Sequence, residues 1–463
     1  MIKEFEYKGI WWFPDNPEKR ISGTLRFVPD EGAILDLMGS FKSIKNDMNK
    51  PLEPEIVLGI SSNGKNITLY KCLEKSLSIS FPGFQTSSFY ANLVFIGVHF
   101  QKLEDIRFKS ISVRYLYLDE WVNISGFDIK CLLEEKEIII KYKLPESFQA
   151  DIGDGLKILI NIQATGPSRA FVQKEATIKQ ETEIKIETSE DKSFEDYRKI
   201  IYHIQNFLSL GVMEPIHPLA ITGLTEVNKE MVEGKAHYPP VEIFYRLPDI
   251  PKASKTLLPV DMLFTFKDIS NRFESFLRTW FEKKDSLEPV YDLYFGTLYN
   301  PRMYLEHRFL SLVQAIESFH QRTCGGEYLS DEDYKVVYDA LLAAIPEEVG
   351  SDFKNRLKEY LKYGNEFSLR KRLKEFFDKY RKILDKFIED EDAFIEKVVN
   401  TRNYQTHHDK ELKERAASGE DLYRLTQKLK MCLEVCLLAE LGFSLEEIKD
   451  LFSRNSRYQH ESI

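Results

Sequence analysis

The run Thr-Arg-Asn-Tyr-Gln-Thr-His-His-Asp at 401–409 gathers a guanidinium, an amide, two imidazoles and a carboxylate into nine positions. An imidazole with a pKa near 6.5 accepts or donates a proton around neutrality, and a guanidinium grips two phosphate oxygens in one plane. Arg402 and His407 are therefore equipped for acid–base work on a phosphoryl group. The competing reading is a helix end whose polar groups satisfy backbone atoms and water.

Spelling alone does not decide between the two. Arg-x-x-x-x-His occurs three times: RKIIYH at 198–203, RMYLEH at 302–307 and RNYQTH at 402–407. Helical geometry separates them, because a residue that continues an apolar stripe faces the packed side. Steps of four carry Val398 to Arg402 and Thr406, and Val399 to Asn403 and His407, which puts this polar set on the packed face. His203 lies two residues from Ile201, and His307 two from Leu305, about 200° round a helix, so both are expected in solvent. Polar groups on a packed face need compensation, from a second hydrogen-bonding surface or a ligand. His407, His408 and Asp409 make a poor metal site, since adjacent helical residues diverge by about 100° and no third ligand is indicated. No metal and no cofactor is expected.

The elements that must position these residues follow from the pattern around them. From the start to about Thr165 the chain is strand-like: DGLKILINIQAT alternates Leu156, Ile158, Ile160 and Ile162 with outward positions, and EIIIKYKL and SVRYLYLDEW are short β-branched and aromatic runs. Punctuation at PDEGA, SNGKN and FPGF separates further short runs, giving an antiparallel sandwich or irregular barrel. Ser193 is placed to cap a helix carrying Phe194, Tyr197, Ile201, Ile204 and Leu208. HYPPVEIFYRL then reads as a strand and DISNRFESFLRTWFEKK as a helix, so the middle is mixed. Beyond Asn300 the pattern is helical throughout. One stripe is Leu305, Phe309, Leu312, Val313, Ile316 and Phe319, and another runs from Leu422 to Leu437. Gly442 should stop the latter helix, with Ser444 and Glu447 in capping-box register starting a last one. The expected class is α+β and multidomain: a β-rich part at 1–190, a mixed connecting region at 191–300 and an all-α bundle at 301–463.

Composition narrows the function classes. A net charge of −10 repels polyanions at long range and argues against indiscriminate nucleic-acid coating. A local basic segment exists at 367–386, where eight Lys or Arg stand against three acidic residues, and Arg370, Lys371, Arg372 and Lys374 cluster there as candidate RNA contacts. The bland alternative is a solvated helix face. The five cysteines fit no zinc or redox spacing, and Cys432 and Cys436 are expected as buried thiols. Nothing reads as a leader peptide or a membrane span, so a soluble, cytoplasmic protein is expected. Trp11, Trp12 and Trp121 would be stacking platforms if the β part bound carbohydrate, but strand tryptophans more often belong to the core. Glu317, in the first helix of the bundle, could contact the site, but it borders an apolar stripe and is left off the catalytic set as an ordinary ion-pair partner. His320 is read as a partly exposed helix cap.

RNYQTH, preceded by RFLSLVQAIESFH and followed by LKMCLEVCLLAELGF, resembles the HEPN superfamily of helical nuclease domains, its Apea-like branch above all. KGIWWFPDNPEKRISGTLRF near the start resembles the N-terminal domain of the ApeA anti-phage proteins. The resemblance implies a metal-independent endoribonuclease of abortive infection. It would act as a homodimer in which Arg and His of both copies line one cleft, with RNA as substrate and a phage-derived trigger. Arg402, Asn403 and His407 would match the motif, Asn403 orienting the phosphate or the imidazole. RNA brings its own 2′-OH nucleophile, so the products would be a 2′,3′-cyclic phosphate and a 5′-OH. Asp409 stands where a related toxin branch has a tyrosine that is nucleotidylated, which puts that regulation in doubt. A different class of function remains open: a non-catalytic helical dimer that holds RNA or nucleotide through Arg402 and the basic segment.

Overall fold

The computed structural model describes residues 3–42, 50–80, 82–134, 136–167, 174–247 and 255–460, and the chain divides into two compact units, Met1–Phe281 and Glu282–Ile463.

The first unit is built on strands β1 (Phe5–Phe13), β2 (Asn16–Val28), β3 (Gly32–Leu37), β4 (Ile56–Ser61), β5 (Asn66–Ile79) and β6 (Gln85–Ile96). Their order is β6-β3-β2-β1-β4-β5, and β5 pairs back onto β6, closing a six-stranded antiparallel barrel. Alternation decides what fills it: Trp11, Leu25, Phe27, Leu35, Val57, Ile67, Leu69 and Phe89 are all fully buried. Burying a Leu or Phe side chain this completely contributes about 1.5–3 kcal/mol, so the interior is a packed core. Gly59 pairs with Trp11 across β4 and β1, and a Cβ there would sit 2.2 Å from the indole ring.

The sheet continues beyond the barrel. β7 (Arg107–Tyr115) leads into the short helix α1 (Leu118–Val122), the hairpin of β8 (Phe127–Leu132) and β9 (Glu137–Tyr142), then β10 (Phe148–Gly153), β11 (Leu156–Thr165) and β12 (Lys179–Ser193). After helix α2 (Phe194–Val212) come β13 (Pro218–Leu224), a small hairpin of β14 (Glu230–Val232) and β15 (Lys235–His237), and β16 (Val241–Tyr245). β16 extends the sheet from β6 through β13, β7, β12 and β11 to β10. Helix α2 lies against β7 and β12, tied by Tyr115 Oη donating to the Ile201 carbonyl at 2.9 Å. Ser193 caps it, accepting from the Asp196 amide at 3.2 Å, and the expected stripe residues are buried. Helices α3 (Phe266–Ile269) and α4 (Phe273–Glu282) follow.

Two sequence expectations change in this unit, and one choice between readings is settled. The strand read through SVRYLYLDEW ends at Tyr115, and Trp121 lies in α1. Trp11, Trp12 and Trp121 are all buried, as the core reading expects, so none is a stacking platform for a sugar. His203 is not in solvent: it is buried, its Nε2 lies 3.1 Å from the Trp280 carbonyl, and its ring stacks on Trp280. Residues of α4 therefore pack on a side of α2 away from the Ile201 stripe, and the period of one helix cannot show a second packing partner.

The second unit is all helical: α5 (Lys284–Tyr299), α6 (Leu305–Cys324), α7 (Asp331–Ala343), α8 (Ser351–Lys362), α9 (Leu369–Leu384), α10 (Glu391–His407), α11 (Gly419–Leu441), α12 (Leu445–Arg454) and α13 (Ser456–His460). Helix α6 packs on α5 and α11, burying Phe309, Leu312, Val313, Ile316 and Phe319. Along α11, Leu422, Leu425, Leu429, Cys432, Leu433, Cys436 and Leu437 are all buried. The helix ends at Gly442 with φ 104°, and Ser444 with Glu447 forms the expected capping box. Buried Glu434 is paired on both oxygens: Tyr294 donates to one at 2.6 Å and Tyr458 to the other, tying α5 and α13 to α11. Among the described residues, no helix is long and apolar enough to cross a membrane.

Candidate functional site on helix α10

Helix α10 starts at Asp390, whose carboxylate accepts from the Ala393 amide at 2.9 Å, and acidic Glu391 and Asp392 suit the positive end of its dipole. Its packed line is Phe394, Ile395, Val398 and Thr401. Thr401 is polar yet fully buried, because its Oγ1 accepts from the Ala417 amide at 2.9 Å and so fastens α10 to the segment that enters α11. The helix ends at a left-handed His408 with φ 52°, whose amide donates to the Tyr404 carbonyl at 2.7 Å. Asp409 then accepts from the Glu411 amide at 3.0 Å. His408 and Asp409 thus stop the helix and shape the turn after it.

Arg402 and Asn403 are half-buried, and Arg402 Nη1 donates to Asn403 Oδ1 at 3.2 Å. Thr406 and His407 are exposed, with Thr406 Oγ1 donating back to the Arg402 carbonyl at 2.8 Å. This corrects the expectation that the whole polar set lies on the packed face. Each step of four advances about 400°, so repeated steps drift about 40° at a time, and the true stripe stays in line by going from Val398 to Thr401. Arg402 and Asn403 therefore border the packed line, and His407 lies outside it within one copy of the chain. Asn403 and His407 are four apart and share a face, and the hydrogen bond to Asn403 turns the Arg402 guanidinium toward that face.

Glu317 of α6 is coupled to this site, although local pattern makes it look like an ordinary ion-pair partner. Burial raises its pKa, opposed by the charges of Arg402 and Arg372. It is half-buried, and the charges that oppose its shift belong to arginines on two other helices, Arg402 on α10 and Arg372 on α9.

The candidate RNA contacts on α9 do not form one basic surface. Arg370 is exposed, but Lys371 pairs with Glu375 at 3.0 Å and Lys374 with Asp392 at 3.3 Å. Arg372 is 3% exposed and is no surface contact at all. It donates from Nε to the Phe367 carbonyl at 3.1 Å, and from Nη1 to the Gly325 carbonyl at 3.2 Å and to His320 Nδ1 at 3.3 Å. His320 is likewise buried, not a partly exposed cap, with its Nε2 3.0 Å from Glu375. Burial lowers the His320 pKa, while the Glu375 contact opposes the shift. Glu375, His320 and Arg372 thus form one hydrogen-bonded run joining α9 and α6. His307, by contrast, is exposed as expected.

Family models give this arrangement its context. Residues 6–280 match ApeA N-terminal domain 1, and residues 310–447 match the Apea-like HEPN domain. No curated protein and no solved structure matches the chain. The second match contains α10 and most of α6, the helices that carry Arg402, His407 and Glu317. The chain belongs to the ApeA family, an ApeA N-terminal domain followed by an Apea-like HEPN domain.

Proposed function

We propose that the protein is an anti-phage endoribonuclease whose helical unit cleaves RNA by attack of the substrate 2′-OH. One local arrangement carries this reading: Arg402 is drawn by Asn403 toward the face that also holds His407, on a helix within the HEPN match. His407 would move the proton at the 2′-OH or at the leaving 5′ oxygen, and Arg402 would stabilise the charge building on the phosphate. Asn403 would hold Arg402 in place and orient the phosphate. These side chains would suffice without a metal ion, and the products would be a 2′,3′-cyclic phosphate and a 5′-OH.

The exposure of His407 and Thr406 favours a site completed by a second copy. An open surface helix gives little of the water exclusion that strengthens charge stabilisation, whereas two α10 helices facing one another would enclose the phosphate. RNA is the substrate in this reading, and an infection signal releases the activity in the cytoplasm.

The test is to induce wild type, Arg402→Ala and His407→Ala in cells and sequence RNA ends bearing cyclic phosphates. Such ends should accumulate with wild type and vanish with both variants. Cleavage persisting at the wild-type rate in both variants, or activity abolished by EDTA and restored by Mg²⁺, overturns the mechanism.

A further inference from the structure

Helices α7 and α8 form a hairpin in which no residue is buried. Its base is firmly held. Asn365, itself buried, accepts from the Leu329 amide and donates to the Leu329 carbonyl, each at 2.9 Å, and the Tyr334 hydroxyl donates to the Leu361 carbonyl. The arms beyond that base carry more apolar surface than the hairpin uses. On α7, Tyr334, Tyr338 and Leu342 are half-buried, whereas Val336, Val337 and Leu341 are exposed, Val336 by 70%. On α8, Leu357 and Leu361 are half-buried, whereas Phe353 and Tyr360 are 56% and 62% exposed. A helix with apolar residues beyond its packed stripe has a second surface to cover.

Charge says what covers it. Helix α7 carries Asp331, Glu332, Asp333 and Asp339 against Lys335 alone. Helix α8 carries Lys354, Arg356, Lys358 and Lys362 against Asp352 and Glu359. Among the described residues no ion pair joins the acidic helix to the basic one, and Lys362 pairs within its own helix, with Glu359 at 2.6 Å. The complementary charges are therefore left for another molecule, and one molecule that bears both is a second copy of this chain.

We propose that the α7–α8 hairpin is an interface between two copies, with α7 of one copy antiparallel to α8 of the other. A two-fold axis makes this contact twice, α7 against the other α8 and α8 against the other α7, so each acidic helix meets a basic one. The same pairing covers Val336 and Leu341 with Phe353 and Tyr360. Charge at the rim sets register and rejects the parallel arrangement, while the apolar centre supplies affinity. We place this contact in the same dimer as the α10 pairing proposed above, where it supplies the affinity that the polar α10 faces do not. It stands whether or not the chain cleaves RNA.

The test reads mass by sedimentation equilibrium on the full chain, with circular dichroism to confirm folding. Wild type and His407→Ala should both be dimers, and the double variant Val336→Glu with Phe353→Glu should be a monomer. Two charge variants sharpen the result. Asp331→Lys, Glu332→Lys and Asp333→Lys together make a chain with two basic helices, and Lys354→Glu, Lys358→Glu and Lys362→Glu together make one with two acidic helices. Each should be monomeric alone, and mixing them should restore a dimer containing one of each. A wild-type chain that stays monomeric at tens of micromolar overturns the proposal, as does a dimer that survives the variants or a mixture that fails to assemble.

Discussion

Arg372 donates from Nη1 to Nδ1 of His320 across 3.3 Å, and this contact fixes the state of the imidazole. A guanidinium has no acceptor, so Nδ1 must be the lone-pair nitrogen and Nε2 must carry the hydrogen that faces Glu375 at 3.0 Å. A second proton would land on Nδ1, against the arginine. Burial lowers the His320 pKa, with the Arg372 charge acting in the same direction. The folded state thus binds this proton less readily than the unfolded chain, whose histidine titrates near 6.5. Stability is fully present above about pH 6.5 and falls as pH drops through that value toward the lower folded pKa. Desolvation works to raise the pKa of Glu375, but Lys371 and His320 outweigh it and hold the carboxyl low, so its own loss comes only further down. Thermal melts between about pH 7.5 and 5 should show a declining midpoint for the wild type and a flatter one for His320→Gln. Equal slopes would refute the assignment.

The same contacts predict the behaviour of Arg372, which the sequence alone places among the RNA contacts. Arg372→Ala strips donors from the Phe367 and Gly325 carbonyls and from His320. Leaving such groups unpaired should cost about 2–4 kcal/mol of stability in urea unfolding. RNA affinity and its salt dependence should hold in any fraction that remains folded, because the side chain is out of reach of a phosphate. A reduced salt slope without loss of stability would show the opposite.

Whatever depends on near neighbours is legible in the sequence. Ser193 capping α2, the Ser444–Glu447 box and the stop at Gly442 are set within a few residues, and all three stand. The helical stripes of α6 and α11 are equally plain. Closure of the barrel is not, because it depends on β5 meeting β6 in a register from Ile67 opposite Ile96 to Ile79 opposite Gln85. One buried polar group escapes a local reading for a related reason: His203 lies off the stripe of its own helix and is buried because a second element covers it. His320, four residues on from Ile316, and Arg372, four before Phe376, instead continue the stripes of their own helices, so helical period already points both inward. Residue types alone single out the Arg402 run, but counting in fours misjudges its exposure.

Glu317 allows a direct test of electrostatic restraint in the site. Burial raises its pKa, and Arg402 and Arg372 work against that rise. Glu317→Gln removes the charge while keeping the shape. Freed of that attraction, Arg402 should be less well held, and RNA cleavage should fall on the order of 10-fold, chiefly in kcat. Stability should change little, since losing the attraction is offset by losing a partly desolvated charge. A variant with wild-type kcat would remove Glu317 from the site.

Thr401 tests whether the placement of α10 matters apart from the residues that would do chemistry. Its hydroxyl is fully buried and accepts from the Ala417 amide at 2.9 Å, while Arg402 is the next residue along. Thr401→Val keeps the side-chain shape and leaves that amide with no acceptor, at a cost of about 1–3 kcal/mol. Thr401→Ser keeps the acceptor and loses only a methyl group, so it should retain more of both stability and rate. If the hydrogen bond sets where α10 sits, Thr401→Val should lower kcat while leaving the RNA concentration at half-maximal rate nearly unchanged. The serine variant should recover most of that loss. Parallel losses in the valine and serine variants would trace the effect to packing of the methyl group and not to the bond. A valine variant that melts earlier yet cleaves at the wild-type rate below its melting point would confine Thr401 to a stabilising role.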